Sequence, residues 1–208
     1  MKNLEIEFKW EANRARAFAA ARKSVGQLGA SVGSVTNLYI TDWYVDTPNR
    51  DFEKKQIAMR IRRSGKKFDA TFKTRTEIVN GKAVRAEHTQ ALLDVTTFSQ
   101  ALQKLCAQKR WKGLPVSSLQ PIFIIQNKRQ IQQLQCKQMI AELSFDSCQI
   151  LVCGRRVFFK EIELEFKKGP AKILEKLAAD LTRSTGLIPA RVSKVKTAVS
   201  LLKLWGDK

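Results

Sequence analysis

The sequence has little of the side-chain chemistry that many metal-dependent and nucleophilic enzymes use. It contains one histidine, His88, and four cysteines that form no CxxC pair and have no neighbouring histidine. Tetrahedral zinc sites need closely spaced thiolate or imidazole ligands, and catalytic triads need a histidine base. We therefore expect neither a zinc site nor histidine-based catalysis. The cysteines are expected to be small buried or half-buried side chains: Cys106, Cys136, Cys148 and Cys153.

Long apolar runs, repeats and low-complexity segments are missing as well. No stretch approaches the ~18 apolar residues of a transmembrane helix, and acidic residues stand where a signal peptide has its apolar core. Gly26, Gly29 and Gly33 lack the strand–GxGxxG–helix context of a dinucleotide site. No Pro/Gly/Ser-rich linker divides the 208 residues. These absences predict a single domain over residues 1–208 in a reduced, soluble, cytoplasmic protein without membrane association.

Acidic residues are scarce relative to basic ones. The chain has 19 Asp and Glu against 38 Lys and Arg, a formal net charge of +19, while 44% of its residues are hydrophobic. The hydrophobic fraction supports a core, and the charge implies an anionic partner such as nucleic acid, polyphosphate, a nucleotide or an acidic membrane surface. A surface that only confers solubility is the alternative.

Hydrophobic periodicity predicts many antiparallel strands interrupted by a few helices. Strands are expected at 4–10, 37–48, 56–64, 67–77, 82–92, 121–135, 137–147 and 148–166, the last folding back at residues 153–155. Helices are expected at 12–30, 96–110, 170–186 and 193–204. Asn80-Gly81 is the strongest hairpin signal. The polar stretch 127–138 is predicted to form an exposed hairpin. This order indicates an α+β domain on a large antiparallel sheet or barrel.

Charged residues in these strands repeat at period two, so each strand places them on one face. The first strand sets the pattern with Glu5, Glu7 and Lys9 opposite Leu4, Ile6, Phe8 and Trp10. The other alternating sets are Arg60 and Arg62; Thr71, Lys73 and Arg75; Arg85, Glu87 and Thr89; Glu142, Ser144 and Asp146; and Glu161, Glu163, Glu165 and Lys167. An amphipathic sheet with a solvated polar face explains any one strand.

The segregation of acidic and basic residues by strand favours a different interpretation. The first and last strands carry glutamates, and the middle strands carry arginine and lysine. If the sheet closes, a carboxylate cluster and a cationic cluster face each other in its interior. Carboxylates that converge need a hard cation such as Mg²⁺ or Mn²⁺, and arginine and lysine suit phosphate oxygens. These are the components of metal-assisted phosphoryl transfer.

Several segments, in order, resemble the CYTH superfamily, also called the triphosphate tunnel metalloenzymes. EIEFK (5–9) resembles its E-x-E-x-K signature, and DWYVDTP (42–48) with MRIRR (59–63) resembles its Tyr-x-Asp-Thr-Pro and Arg-x-Arg stretch. Further similar segments are DATFK (69–73), VRAEHT (84–89), EIELEF (161–166) and ARVSKVKTA (190–198). The resemblance implies an eight-stranded antiparallel β-barrel with flanking helices, whose tunnel binds a triphosphate and carries out metal-dependent chemistry on it.

The resemblance also implies roles for individual residues. The metal ligands, for Mg²⁺ or Mn²⁺, would be Glu5, Glu7, Glu87, Asp146, Glu163 and Glu165. The phosphate contacts would be Lys9, Arg60, Arg62, Lys73, Arg85, Arg129 and Lys194. Glu5, Glu7 and Lys9 would be catalytic. A shift of one residue in strand register would exchange Arg129 for Lys128. His88, between Glu87 and Thr89, is expected to face away from the tunnel.

Two positions depart from the pattern of this family. Thr89 stands where a second acidic residue often follows Glu87, and Thr197 stands where an arginine often follows the Ser-Lys pair, although Lys196 is adjacent. The predicted function is a hydrolase of inorganic tripolyphosphate or a small organic triphosphate, releasing phosphate. The alternatives are a class IV adenylyl cyclase and a non-catalytic protein that binds polyphosphate or RNA, with nucleic acid recognised by the basic surface. No fused histidine-rich helical domain is expected.

Overall fold

Eight strands close into an antiparallel barrel in the computed structural model, which describes residues 3–74 and 78–206. We number them β1 (Asn3–Glu11), β2 (Thr36–Asp46), β3 (Ala58–Ser64), β4 (Lys67–Lys73), β5 (Lys82–Leu92), β6 (Gln120–Cys136), β7 (Met139–Val152) and β8 (Arg155–Lys168). Their order round the barrel is β1-β8-β7-β6-β2-β3-β4-β5, and pairing of β5 with β1 closes it. The predicted barrel with flanking helices is confirmed.

Helices and short strand pieces surround the barrel. The helices are α1 (Ala17–Gln27), α2 (Asp51–Lys54), α3 (Phe98–Cys106), α4 (Ala171–Thr185) and α5 (Lys194–Gly206). The short strands are Ser31–Val32, Ile78–Val79, Arg110–Trp111, Leu114–Pro115 and Ile188–Pro189. Within residues 3–74 and 78–206, no helix combines the length and the apolar character needed to cross a membrane.

The apolar face of β1 packs outward against helices, as its alternation predicts. Trp10 is buried in a core with α1 and α4, and its indole N–H donates to Thr182 Oγ1 on α4 at 2.8 Å. Ile6 and Phe8 pack against the same core, whereas Leu4 is exposed. Because successive side chains in a strand alternate, this packing directs Glu5, Glu7 and Lys9 into the barrel.

Gly81 fixes the position of β1 relative to β5. It has a φ of +80°, which favours glycine, and its carbonyl accepts a hydrogen bond from the Lys9 N–H at 2.9 Å. A Cβ at this position would lie 2.7 Å from the Lys9 carbonyl oxygen. The Asn80-Gly81 turn therefore allows the two backbones to approach closely beside a residue of the barrel interior.

The last helix, α5, packs against the barrel interior instead of its outer surface. Its Ala198 is buried with inward-facing apolar residues of β2, β6 and β7, including Tyr44, Ile125 and Ile150. Val195, Val199 and Leu202 pack against the same cluster. The barrel interior is thus apolar at one end, where α5 covers it, and charged along the rest.

Some predicted boundaries were wrong. Helix α1 begins at Ala17 and not at residue 12, because Ala12 and Asn13 still bond to Lys160: the Ala12 N–H donates to its carbonyl, and Asn13 Oδ1 accepts from its N–H. Strand β4 ends at Lys73, and residues 75–77, including Arg75, lie outside the described residues.

Two further predictions about β6 and β7 also need correction. The break between residues 147 and 148 is absent, since β7 continues to Val152 before the turn at Cys153-Gly154. The stretch 127–138 is not an exposed hairpin, because β6 runs to Cys136 and buries Asn127 and Gln132. Asn127 and Arg129 face the interior of the barrel, whereas Gln132 lies on the outer face, where it accepts a hydrogen bond from Arg22 of α1 and donates one to the Gly33 carbonyl.

Candidate functional site

An alternating chain of carboxylates and cations runs through the barrel interior. Lys73 Nζ lies 3.0 Å from Glu5 and 2.6 Å from Glu87, and Arg85 binds Glu5 at 2.5 Å and Glu7 at 2.7 Å. Lys9 Nζ then connects Glu7, at 3.1 Å, to Glu163 on the last strand, at 2.5 Å. We call this set, with the cluster described next, the tunnel network.

The second part of the tunnel network is a cluster of three buried carboxylates on β7 and β8. Asp146, Glu161 and Glu163 each offer an oxygen within 4.8 Å of the others. The register explains this, since Asp146 lies opposite Glu161. We call these residues the carboxylate triad.

Two cations hold the carboxylate triad together. Arg129 forms a bidentate pair with Asp146 at 2.7 and 2.6 Å and also donates to Glu163 at 2.5 Å. Lys194, in the first turn of α5, places its ammonium 2.5 Å from Asp146, 2.5 Å from Glu161 and 3.1 Å from Glu163. The Lys194 ammonium therefore lies where the three carboxylates converge.

Glu161 has the least compensated carboxylate of the three. Its Oε1 is buried 2.5 Å from the Lys194 ammonium and has no hydrogen-bond partner among the described residues. Burial, together with the neighbouring Glu163, raises the pKa of Glu161 to about 7. Burial acts in the same direction on Glu163, but Lys194, Lys9 and Arg129 outweigh it and hold the pKa of Glu163 well below its usual range.

A second ionic group, which we call the Asp42 clamp, lies on β2 and β3. Arg62 donates two hydrogen bonds to the Asp42 carboxylate, at 2.7 and 2.8 Å, and the Arg60 guanidinium lies 3.5 Å from the same carboxylate. Burial would raise the pKa of Asp42, but the two guanidinium groups lower it to about 2. Arg60 Nε is buried and has no hydrogen-bond partner among the described residues. The clamp thus holds two arginines in fixed positions, and the Arg60 N–H group at Nε remains able to donate a hydrogen bond.

All seven residues that were predicted to contact phosphate belong to these two groups, and their side chains face the interior of the barrel. Lys9, Lys73, Arg85, Arg129 and Lys194 belong to the tunnel network, and Arg60 and Arg62 to the Asp42 clamp. The alternative register is excluded, because Arg129 pairs with the buried Asp146 while Lys128 is exposed on the outer face. His88 also faces outward, where its ring packs 4.8 Å from that of Phe72.

The six predicted metal ligands are spread over the tunnel. Asp146 and Glu163 lie in the carboxylate triad, and Glu5 and Glu7 share Arg85. Glu87 binds Lys73 and accepts a hydrogen bond from Thr89 at 3.1 Å. Glu165 is half-buried and pairs with Lys167 at 2.8 Å.

The predicted list of site residues omitted Glu161 and Asp42. Glu161 was visible in the alternation of β8, but only its register opposite Asp146 places it in the triad. Asp42 stands between Thr41 and Trp43 in an aromatic strand, and its partners come from the pairing of β2 with β3, which places it opposite Arg62.

A cavity of about 800 Å³ gives access to the tunnel network. It reaches Lys73 and Arg85 and is bordered by Val195 and Val199 of α5. Its other lining residues include Asp46 and Glu53 and the exposed basic residues Lys54, Arg191, Lys196 and Lys203. The positive charges outnumber the negative ones in this lining, so an anion is attracted towards the interior.

The donor set fits a hard divalent cation. Seven cations and seven carboxylates make up the tunnel network and the Asp42 clamp together. Carboxylate oxygens are the ligands that Mg²⁺ and Mn²⁺ prefer, and Glu161 has a buried oxygen without a hydrogen bond. The positive and negative charges of these side chains balance. A divalent cation and a polyphosphate that bind together therefore change the net charge of the interior less than either one alone.

Sequence comparison relates the chain to known proteins. The family profile of the CYTH domain matches residues 3–199. A curated inorganic triphosphatase from Haemophilus influenzae is 28% identical over 160 residues, which cover 77% of this chain and 45% of that protein. The chain thus spans about half the length of this relative.

Solved structures share the architecture at low sequence identity. A putative adenylyl cyclase from Hippeastrum, described as having a dominant triphosphatase activity, superposes with a TM-score of 0.65 at 14% identity, covering 94% of this chain and 95% of that one. A protein from Pyrococcus horikoshii superposes with a TM-score of 0.64 at 18% identity, covering 95% and 99%. At these identities the likeness establishes the fold alone. The family match over residues 3–199 goes further, and the chain belongs to the CYTH domain family.

Proposed function

We propose that this protein is a divalent-metal-dependent hydrolase of a triphosphate, most simply inorganic tripolyphosphate or a small organic triphosphate. One observation carries the proposal: a buried carboxylate triad and seven cations share the interior of one barrel. A polyanion needs the cations, and a hard metal ion needs the carboxylates. The inorganic triphosphatase of Haemophilus influenzae, 28% identical, supports the reaction class.

The cations would bind the phosphates along the tunnel. Arg129, Arg85 and the two arginines of the Asp42 clamp have planar guanidinium groups that bind phosphate oxygens in pairs. Their geometry is fixed beforehand by buried carboxylates, so little ordering is needed when the anion binds. When a phosphate replaces these carboxylates as the partner of the arginines, the carboxylates become available to a metal ion.

Lys9 would act as a permanent positive charge and not as a proton acceptor. Burial would lower its pKa, but Glu163, Glu7 and Glu161 outweigh burial and raise the pKa of Lys9 above its usual value. A buried ammonium that stays charged can stabilise negative charge on the leaving phosphate oxygens in the transition state. Its place between β1 and β8 puts that charge beside the carboxylate triad.

The residues that would hold the metal are the carboxylate triad first, with Glu5 and Glu7 next to it through Lys9 and Arg85. Glu87 and Glu165 remain proposed ligands at the margins of the tunnel. A bound Mg²⁺ or Mn²⁺ supplies Lewis-acid polarisation of a phosphate oxygen and lowers the pKa of a bound water. The chain contributes the fixed positions of the carboxylates and the exclusion of solvent by the barrel wall and α5.

A substrate panel tests the proposal. Tripolyphosphate, thiamine triphosphate, ATP and GTP are each incubated with the protein and Mg²⁺, Mn²⁺ or a chelator, and phosphate release is measured. We expect release from at least one compound with a metal ion and loss of release with the chelator. Absence of release from all four compounds with both metals would contradict the proposal.

The products from ATP separate the hydrolase from the cyclase. A hydrolase yields ADP and phosphate, whereas a cyclase yields cyclic AMP and diphosphate. A protein that only binds polyanions yields no product, binds with a steep dependence on salt, and retains binding when the glutamates are replaced.

A further inference from the structure

The outer face of the barrel carries a groove that the proposed function does not use. It has a volume of about 620 Å³ and crosses β2, β6, β7 and β8. Two of its three aromatic residues, Tyr39 and Phe158, are 72% and 70% exposed, the highest values among the large hydrophobic residues of the described chain, whereas Phe159 is half-buried. Isolated exposed apolar residues are common, but two rings in one groove need an explanation.

Strand register places these rings among cations and amides. One row across the four strands is Tyr39, Lys128, Ser147 and Lys160, and the next is Thr41, Gln126, Gln149 and Phe158. All of these residues belong to the outward-facing set, because their neighbours along the strands face the tunnel network. The rings therefore stand at diagonal corners of a patch about 14 Å wide, three strand spacings across.

The groove is positive, and its lysines lack acidic partners among the described residues, although the Lys160 ammonium lies 5.9 Å from the centre of the Phe18 ring. None of its lining residues within the described chain is acidic. Lys128 and Lys160 are exposed and form no ion pair with any residue that the structure describes, unlike the cations of the tunnel network. The groove also has neutral hydrogen-bonding side chains in Asn13, Gln126 and Gln149.

We propose that this groove binds single-stranded nucleic acid. Aromatic rings on which bases stack, lysines that contact phosphates, and amides that reach base edges are the features of such surfaces. A second copy of the chain is disfavoured, because it would bring Lys128 and Lys160 against themselves in a protein of net charge +19. The site lies outside the barrel wall, so it does not depend on triphosphate hydrolysis.

The test measures binding by fluorescence anisotropy with a labelled oligouridylate of about 12 nucleotides, a length within known site sizes. The oligonucleotide has a 5′-hydroxyl, so it offers no triphosphate end to the tunnel. The Tyr39→Ala/Phe158→Ala variant should bind about 30-fold more weakly, since each lost stacking contact costs fivefold or more. Tyr39→Phe keeps the ring and should bind within about twofold of the wild type.

The lysines provide a second, independent measurement. Lys128→Gln/Lys160→Gln should reduce the slope of log affinity against log salt by about 1.4, as expected for two phosphate contacts on a single strand. The matched control is Lys172→Gln/Lys176→Gln on the exposed face of α4, which removes the same charge and should leave the slope unchanged. Tripolyphosphate at constant ionic strength should not displace the oligonucleotide.

Four results of the binding measurements would overturn this proposal. They are the absence of binding at low salt, equal effects of the two lysine pairs, displacement by tripolyphosphate, and wild-type binding by Tyr39→Ala/Phe158→Ala. A dimer in sedimentation that the aromatic variant converts to monomer would also overturn it and assign the groove to a second copy. Both rings are exposed, so the variants are expected to fold, which circular dichroism checks.

Discussion

Glu163→Gln is expected to lower metal-dependent release of phosphate by about a hundredfold or more, the effect of removing one preorganised charged group from a transition-state site. Glu163 contacts three cations of the tunnel network: Lys9 at 2.5 Å, Arg129 at 2.5 Å and Lys194 at 3.1 Å. It is also one of the three oxygen donors of the carboxylate triad. Glutamine preserves the shape but removes the charge that a metal ion needs. The rate is measured on the substrate that the panel identifies.

The matched control is Glu175→Gln, which removes an exposed glutamate of α4 whose partner is Lys82 of β5. Its rate should stay within about twofold of the wild type. Binding of the triphosphate to Glu163→Gln without metal should be retained or strengthened, because three cations lose a competing carboxylate. Reduced phosphate release together with retained triphosphate binding would show that the variant is folded and has lost only the catalytic step. A Glu163→Gln enzyme that keeps a third or more of the rate would contradict the role of the triad.

Lys194→Met is expected to destabilise the protein in the absence of metal by about 3 kcal/mol, the cost of leaving buried charge unpaired. The Lys194 ammonium lies within 3.1 Å of all three carboxylates of the triad, and the methionine that replaces it fills similar space without charge. Asp146, Glu161 and Glu163 then repel one another with only Lys9 and Arg129 as neighbouring cations. Urea unfolding measures the change in the free energy of unfolding.

Added Mg²⁺ or Mn²⁺ should restore much of this stability to Lys194→Met, because a divalent cation replaces the missing charge among the carboxylates. The stabilisation follows the metal concentration relative to its dissociation constant. Lys196→Met, two residues further along α5 and exposed, is the matched control and should change neither stability nor the response to metal. Equal stability of the two variants would contradict the account of Lys194, and so would equal stabilisation of both by metal.

The alternation of charges predicted that the charged residues of each strand share one face, and the resemblance to the CYTH superfamily implied that this face is the interior of a closed barrel. In a closed sheet, every second residue of each strand faces inward. The period-two pattern of charges in β1, β3, β5 and β8 therefore grouped Glu5, Lys9, Arg62, Arg85 and Glu163 without knowledge of their partners. The Asn80-Gly81 turn and the strand Lys82–Leu92 were likewise predictable, because both follow from local residue preferences.

The partners of these residues depend on register and packing, which local patterns do not contain. Glu161 joins the triad because β7 and β8 pair with Asp146 opposite Glu161, and Asp42 meets Arg62 through the pairing of β2 with β3. The last helix was predicted, but its pattern did not indicate that α5 packs against the interior and brings Lys194 to the triad. The stretch 127–138 was misjudged for the same reason, since Asn127 inside the barrel and Gln132 beneath α1 resemble solvent-exposed residues in the sequence.

Crystals grown with Mn²⁺ and tripolyphosphate test the central claim most directly, because the anomalous signal of manganese locates the ion independently of the protein. We predict an anomalous peak coordinated by oxygens of Asp146, Glu161 or Glu163. The phosphates should contact Lys9, Arg85 and Arg129, and the Lys194 ammonium should have left the centre of the triad. Manganese and phosphate bound only outside the barrel, with Lys194 still among the three carboxylates, would contradict the claim.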